Sequence, residues 1–195
     1  MSKLDKQKLI SEIIGKGVQI SSINDLMKIN HKYTDLVPIL LKHLKEITDE
    51  VDKEFIVRCL GVKGFFEATK PLMEEFYNSS KITYKWAIGN TLAIIEDANF
   101  IDEYIRIVKD KKHGISRQMI VESLGKFKNP KVVQILIELL QDQDVAGHAI
   151  SALSNFKKLE IIPHLEPFLN HKTAWIKREA IKAIKKIKKS DTKRK

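Results

Sequence analysis

The sequence predicts an all-α fold, a right-handed α-α superhelix of paired helices (an α-solenoid), and three observations lead to this class. Apolar residues recur with helical spacing over most of the 195 residues. One pattern of residues repeats about every 31 positions along the chain. Only 8 Gly and 5 Pro occur, so long loops are not expected. Repeats of this length bury their apolar faces by stacking on neighbouring repeats, and such stacks are solenoids.

The repeat is clearest from one apolar anchor residue in each copy. The anchors, at successive spacings of 32, 32, 29 and 31 residues, are Leu60, Leu92, Leu124, Leu153 and Ile184. A small residue stands directly before each anchor: Cys59, Thr91, Ser123, Ala152 and Ala183. Residues three and four positions before the anchors are nearly all apolar, which completes a helical face. These helices, called anchor helices below, are therefore expected to pack closely through small side chains.

A second helix, called the companion helix below, is predicted after each of the first four anchors. Apolar residues 12 and 16 positions after the anchor define it: Leu72 and Phe76, Tyr104 and Val108, Leu136 and Leu140, Leu165 and Leu169. Asn129 before Pro130 predicts a capped helix start, since Asn caps helices and Pro suits their first position. Pro167 lies deeper in its helix and is expected to bend it.

The repeats predict one domain over residues 1–189, with about six helical hairpins. Residues 1–50 are interpreted as degenerate N-terminal capping repeats and 51–189 as regular repeats. Helices are predicted upstream of the regular repeats over residues 3–14, 20–29 and 35–48, the middle one being the weakest. Residues 190–195 are predicted to form a basic, disordered tail.

Several motifs resemble a known class of repeats. Arg117 with Ser123-Leu124-Gly125, together with Val108-x-Asp110 and Leu140-x-Asp142, is similar to the HEAT-like repeats of the phycobilisome-lyase type. In that group one helix reads Val-Arg, several alanines, then Ala-Leu-Gly, and the other ends in Leu-x-Asp. The resemblance covers about residues 50–189 and implies a HEAT-like solenoid. It implies no single function, because the group includes scaffolds as well as lyase subunits.

The net charge of +10 is concentrated at one end of the chain. Residues 177–195 contain ten Lys or Arg and two acidic residues, whereas the other 176 residues contain 25 basic and 23 acidic ones. The high pI is therefore a property of the C-terminal segment. The abundance of Lys and Ile favours a bacterial origin.

The sequence contains no feature typical of an enzyme, a metal protein or a membrane protein. Its six histidines are scattered, and it has no Gly-rich phosphate loop and no zinc pattern. No cofactor, metal or small-molecule substrate is therefore predicted, and an enzyme is not favoured. No run of 18 apolar residues and no apolar signal core occur, so a cytoplasmic location is expected. The single cysteine, Cys59, stands at a small core position, so we interpret it as a packing residue.

The most regular polar feature is a ladder of cations seven residues before the anchors: Lys53, Lys85, Arg117 and Lys177, with Ala146 in the remaining repeat. Such a ladder could follow a phosphate backbone. The favoured interpretation is structural, with an acid that ends one helix pair meeting the base that opens the next. Asp110 and Asp142 are the expected acidic partners.

A second stripe, six and two residues before the anchors, is the favoured binding surface. It is expected to line the concave groove of the solenoid and to hold a protein partner. Its candidate contacts are Arg58, Trp86, Asn90, Gln118, Glu122, Ser151, Arg178 and Lys182. Trp86 is the expected central contact, since tryptophan is a common hot-spot residue, although it could instead fill a gap between repeats. Trp175 is expected to pack against Phe168.

The alternative function is nucleic-acid binding by the C-terminal cations. Its candidate contacts are Lys182, Lys185, Lys186 and Lys189. The competing interpretation is a solvated capping helix whose cations suit the helix C-terminus. Trp86, Glu122 and the lysines are faintly similar to HEAT-like glycosylases of alkylated DNA. The groove stripe is not strongly basic, however, so a non-enzymatic protein-binding scaffold or a regulatory, immunity-type protein remains the first prediction.

Overall fold

The computed structural model describes residues 1–192, and within these residues all regular structure is helical, with eleven α-helices and no strand. The predicted all-α class is therefore confirmed. Contacts divide the chain into two compact units, Met1–Asp97 (unit 1) and Ala98–Lys195 (unit 2). Both units contain buried apolar residues. The single repeat domain over residues 1–189 stays a prediction.

Unit 1 contains five α-helices: α1 (Lys6–Gly15), α2 (Val37–Glu46), α3 (Glu50–Cys59), α4 (Thr69–Asn78) and α5 (Ile82–Ile95). Short 3₁₀ turns lie at Ile23–Lys28, Thr34–Leu36 and Phe66–Ala68. The weak helix expected over residues 20–29 is thus a 3₁₀ turn. Side chains cap the starts of two of these α-helices. Asp5 accepts a hydrogen bond from the Lys8 amide, and Asp49 accepts hydrogen bonds from the Val51 and Asp52 amides.

Unit 2 contains six α-helices: α6 (Ile101–Lys109), α7 (Gln118–Leu124), α8 (Pro130–Leu139), α9 (Ala146–Leu153), α10 (Ile162–Leu165) and α11 (Ala174–Thr192). The 3₁₀ turns are Ala98–Phe100, Lys111–Arg117, Leu159–Ile161 and Glu166–Asn170. Asn129 caps α8 through the Lys131 amide, as its sequence predicts. The proline at 167 coincides with the change from α10 to a 3₁₀ turn, because proline cannot continue the α-helical hydrogen bonds.

In both units the anchor helices contact each other directly, α3 with α5 in unit 1, and α9 with both α7 and α11 in unit 2. All five anchor residues are buried. Close approach depends on the small residues at the contacts. At Gly125 an added Cβ would lie 2.4 Å from the Ala152 carbonyl oxygen. The predicted pairing is also present, since each of the anchor helices from α3 to α9 packs on the companion helix before it.

The turn after each of the first four anchor helices contains a left-handed residue that the sequence analysis did not anticipate. It stands four residues after the anchor in each copy. These residues and their φ angles are Gly64 (92°), Glu96 (58°), Lys128 (51°) and Lys157 (54°). Glycine adopts this conformation without the steric cost that other residues meet. The repeat therefore requires the turn at this position but does not require glycine.

Helix α11 continues through Thr192, three residues beyond the predicted end of the domain. Residues 190–192, which were assigned to a disordered tail, are helical in the structure. The remaining residues of that predicted tail, 193–195, lie outside the described residues. No helix in the described part of the chain combines the length and the apolar character needed to cross a membrane.

Candidate functional site

In unit 1 the stripe predicted to bind a partner lies along α3 and α5, which pack side by side. Glu54 and Arg58 stand one turn apart on α3, and Trp86 and Asn90 occupy the equivalent positions on α5. The Arg58 guanidinium donates to Glu54 Oε1 at 2.6 Å and 3.0 Å. Arg58 is exposed and Trp86 is half-buried. The structure thus brings an aromatic ring, an amide and an ion pair onto neighbouring helices of one unit.

In unit 2 the same stripe runs over α7, α9 and α11. Two of its side chains are already held, because Ser151 Oγ donates to Glu122 Oε1 at 3.2 Å and Gln118 Nε2 donates to the Asp144 carbonyl at 2.9 Å. Arg178 and Lys182 are exposed on α11. Arg178 and Lys182 therefore face solvent, whereas the predicted residues on α7 and α9 are half-buried and hydrogen-bonded.

Trp175 lies against this stripe at Gly147, whereas its sequence position predicted packing against Phe168. Its ring lies where a side chain at Gly147 would stand, since an added Cβ there would be 2.0 Å from Trp175 Cζ3. The His148 ring centroid is 5.0 Å from that of Trp175, whereas Phe168 stacks on His171. The signal that could have placed Trp175 is the glycine at 147, the only stripe position without a side chain.

His148, which follows the stripe position Gly147, has a shifted pKa. Burial lowers the pKa of its imidazole, and Glu122 and Glu179 partly oppose that shift. Its Nδ1 atom is buried without a hydrogen-bond partner among residues 1–192. Because the charged form is disfavoured, the ring beside Trp175 is neutral at pH 7 and packs as an aromatic group.

The residues of the predicted cation ladder have four different environments. Lys53 bonds to Glu75 Oε2 at 2.8 Å, and Glu75 Oε2 also accepts a hydrogen bond from Tyr84. Lys85 is buried with its ammonium 4.4 Å from the centre of the Phe76 ring. Lys177 is exposed at the start of α11. A ladder of equivalent cations is therefore not present in the structure.

Arg117 has the most complete set of partners. Its side chain is fully buried, and Nη2 donates to Asp142 Oδ2 at 2.9 Å. Nη1 donates to the Val108 carbonyl and Nε to the Gly114 carbonyl, both at 2.9 Å. The sequence pattern predicts that the preceding acid, Asp110, contacts this arginine.

Asp110 cannot serve that role because its carboxylate has other partners. It caps the following 3₁₀ turn through the Lys112 amide and pairs with Lys112 Nζ at 2.8 Å. The acid that meets Arg117 therefore follows it in the same repeat and does not precede it. The interaction holds α7 and the end of α8 together.

The four lysines predicted to contact an anion do lie together. Lys182, Lys185, Lys186 and Lys189 line one open depression of about 400 Å³, beside Ser190. A fifth lysine, Lys157, joins them from the turn after α9. Sequence spacing along α11 could not identify Lys157, which is 25 residues before Lys182 in the chain.

Cys59 is a packing residue in the structure, only 1% exposed and 3.6 Å from the Met27 sulfur. Burial raises the pKa of its thiol to about 12. Because the thiolate is the reactive form, we expect a disulfide reagent at pH 8 to label the native protein at least about a thousandfold more slowly than the urea-unfolded chain. Absorbance of the released thiol measures both rates, and complete native labelling within seconds would contradict the buried position.

The described residues contain no group of three or more His, Cys, Asp or Glu side chains arranged to hold a metal ion. The polar groups that do converge are hydroxyls, carboxylates and ammonium groups on helix surfaces.

Comparison with known families agrees with the repeat found in the sequence. Residues 116–142 match the family model described as PBS lyase HEAT-like repeat. The match covers α7 and α8, an anchor helix and its companion, and includes the Arg117–Asp142 ion pair. The predicted resemblance to HEAT-like repeats is therefore confirmed for this stretch. No curated protein matches the chain.

Proposed function

We propose that the protein is a non-enzymatic scaffold that binds a partner protein through the stripe on α3 and α5. The observation that supports this most directly is that α3, with Glu54 and Arg58, is in direct contact with α5, with Trp86 and Asn90. Tryptophan and arginine are the residue types most enriched among binding hot spots. The HEAT-like repeat is consistent with a scaffold.

The charge of unit 1 favours a protein partner over a polyanion. Residues 1–97 contain 14 basic and 14 acidic side chains, whereas residues 98–195 contain 21 basic and 11 acidic ones. A surface with balanced charge presents no net attraction to a phosphate backbone. Protein interfaces, in contrast, commonly combine an aromatic centre with a polar rim of both signs.

The residues around Trp86 would act as that rim. Arg58 and Glu54 are 38% and 33% exposed as side chains, so their ion pair is accessible to a partner. An exposed pair of this kind contributes little to folding, which leaves its charges free to select a partner. Gln118, Glu122 and Ser151 offer a comparable polar surface in unit 2, already ordered by hydrogen bonds.

We expect the double variant Trp86→Ala/Arg58→Glu to lose at least about 100-fold in affinity for the partner, because each hot-spot residue contributes about 2 kcal/mol or more. The partner would first be identified as a stoichiometric protein retained by the immobilised chain. Binding of the purified pair would then be measured by calorimetry.

The matched control is Phe66→Ala/Lys70→Glu, which truncates an aromatic and reverses a charge elsewhere in unit 1. Phe66 is 52% exposed and Lys70 is exposed, so this variant should bind like the wild type. If Trp86→Ala/Arg58→Glu bound with unchanged affinity, the α3–α5 stripe would not be the binding surface.

A further inference from the structure

One face of α11 continues from an aromatic residue into a row of cations. Trp175, Glu179, Lys182, Lys186 and Lys189 follow at intervals of four, three, four and three residues, which places them along one helical face. This face lies against α9. The Trp175 ring covers Gly147, and Lys186 Nζ donates to Asn155 Oδ1 at 2.5 Å.

The cation end of this face is a site of unbalanced charge. The five lysines around the depression are Lys157, Lys182, Lys185, Lys186 and Lys189. Of these five lysines, only Lys182 has an acidic partner among residues 1–192, namely Glu179 at 2.8 Å. Ammonium groups gathered around one depression repel each other, and their repulsion is relieved by a ligand with several negative charges.

Lys157 reaches this depression from a backbone conformation that favours glycine. Its φ angle is 54°, and the equivalent positions of the other turns, Gly64, Glu96 and Lys128, also have positive φ angles. Glycine would satisfy the turn with less steric cost, but it would not supply a cation. The conformation belongs to the repeat, and what distinguishes this turn is a lysine that adds the one charge of the depression that does not come from α11.

Trp175 provides a second kind of contact at the other end of the face. The residue is 39% exposed, and its ring is supported by Gly147 and His148 from below. An exposed, supported indole is a stacking platform for a nucleobase. The acids beside it, Glu122 and Glu179, disfavour a phosphate there, so bases are expected at Trp175 and phosphates at the lysines.

We propose that the α9–α11 surface binds single-stranded nucleic acid, with phosphates in the five-lysine depression and a base on Trp175. The eleven residue steps from Trp175 to Lys186 span about 16 Å at 1.5 Å per step, a length of roughly five stacked nucleotides. A duplex keeps its bases paired inside, so it would not offer one to Trp175. This ligand is separate from the protein partner proposed for unit 1.

The test is fluorescence anisotropy of a labelled twelve-residue oligothymidylate with the full chain between 50 and 200 mM salt. Five phosphate contacts on a single strand predict a slope of log affinity against log salt of about −3.5. In Lys157→Ala/Lys186→Ala the slope should fall to about −2, with at least tenfold weaker binding at 50 mM salt. The matched control, Lys111→Ala/Lys131→Ala, removes two exposed cations elsewhere in unit 2 and should change neither quantity.

The variant Trp175→Phe tests base stacking on the indole separately from the phosphate contacts of the lysines. It should weaken oligonucleotide binding severalfold while leaving the salt slope unchanged, because no phosphate contact is lost. Circular dichroism would be used to check that each variant is folded. Trp86→Ala/Arg58→Glu should bind the oligonucleotide like the wild type, so failure of the protein-scaffold proposal would not affect this result.

Four outcomes would overturn the proposal. They are absence of binding at 50 mM salt, equal or tighter binding of a duplex of the same length, equal affinity for polyglutamate, and full displacement of the oligonucleotide by equimolar tripolyphosphate. The last three would assign the depression to a duplex, an acidic protein segment or a free polyphosphate.

Discussion

Replacing Arg117 with alanine is expected to lower the free energy of unfolding of unit 2 by about 3–5 kcal/mol, because it leaves a buried charge without its partner. The guanidinium is 0% exposed, and the Asp142 side chain that it meets is 11% exposed. The same substitution also removes the donors to the Val108 and Gly114 carbonyls. Urea denaturation followed by circular dichroism measures the loss.

Two further variants test this explanation. Arg117→Lys should recover only part of the stability, since an ammonium cannot reproduce three directed hydrogen bonds from one planar group. Arg106→Ala removes an exposed arginine, 74% accessible and paired with Glu103, and should cost less than about 1 kcal/mol. If Arg117→Ala were as mild as Arg106→Ala, the buried pair would not be what holds α7 to the end of α8.

The periodic part of this fold was accessible from the sequence. Anchors such as Leu124 recur in a pattern that only helices produce, and the Asn129–Pro130 signal placed the start of α8 correctly. The weak segment at 20–29 was less accessible. Its apolar spacing is compatible with an α-helix. In the structure, however, Ser22 and Asp25 cap a 3₁₀ turn over Ile23–Lys28 through local hydrogen bonds, and apolar spacing does not reveal such bonds.

Candidate contacts on one helix were predicted better than contacts between helices. The lysines of α11 share a face because of their spacing, and the structure places them together. Lys157 and Trp175 reach the same surface through a left-handed turn and through the space above Gly147. Neither feature has a periodic signal, because each depends on how α9 and α11 pack.

The cation ladder also shows that contacts between helices could not be predicted from sequence spacing. Its four cations share a sequence position, but Lys53 meets a carboxylate, Lys85 an aromatic ring and Arg117 a buried acid with two carbonyls. The position of a residue in the repeat determines only where on its helix the residue lies. The residues contributed by the next helix determine what its charged group meets.

Gly125→Ala is expected to destabilise unit 2 by about 2–3 kcal/mol, near the upper end of overpacking costs. The added Cβ would lie 2.4 Å from the Ala152 carbonyl oxygen and 2.8 Å from Ala152 Cα, so backbone atoms of α9 would have to move. Gly147→Ala should cost less, because its obstacle is the Trp175 ring, an exposed side chain that can rotate away. Gly15→Ala, with nothing within 4 Å, should raise stability by about 0.5 kcal/mol.

A second substitution can test whether backbone or side-chain contacts cause the loss of stability in Gly125→Ala. Ala152→Gly removes the Ala152 side chain but leaves the backbone atoms of this residue that obstruct the new Cβ, so Gly125→Ala/Ala152→Gly should be no more stable than Gly125→Ala. Recovery of stability in the double variant, measured by thermal unfolding, would show that side-chain crowding opposes the alanine. Without recovery, the glycine of the Ser123-Leu124-Gly125 motif is required because two anchor helices meet there through their backbones, which explains how this repeat stacks its helices closely.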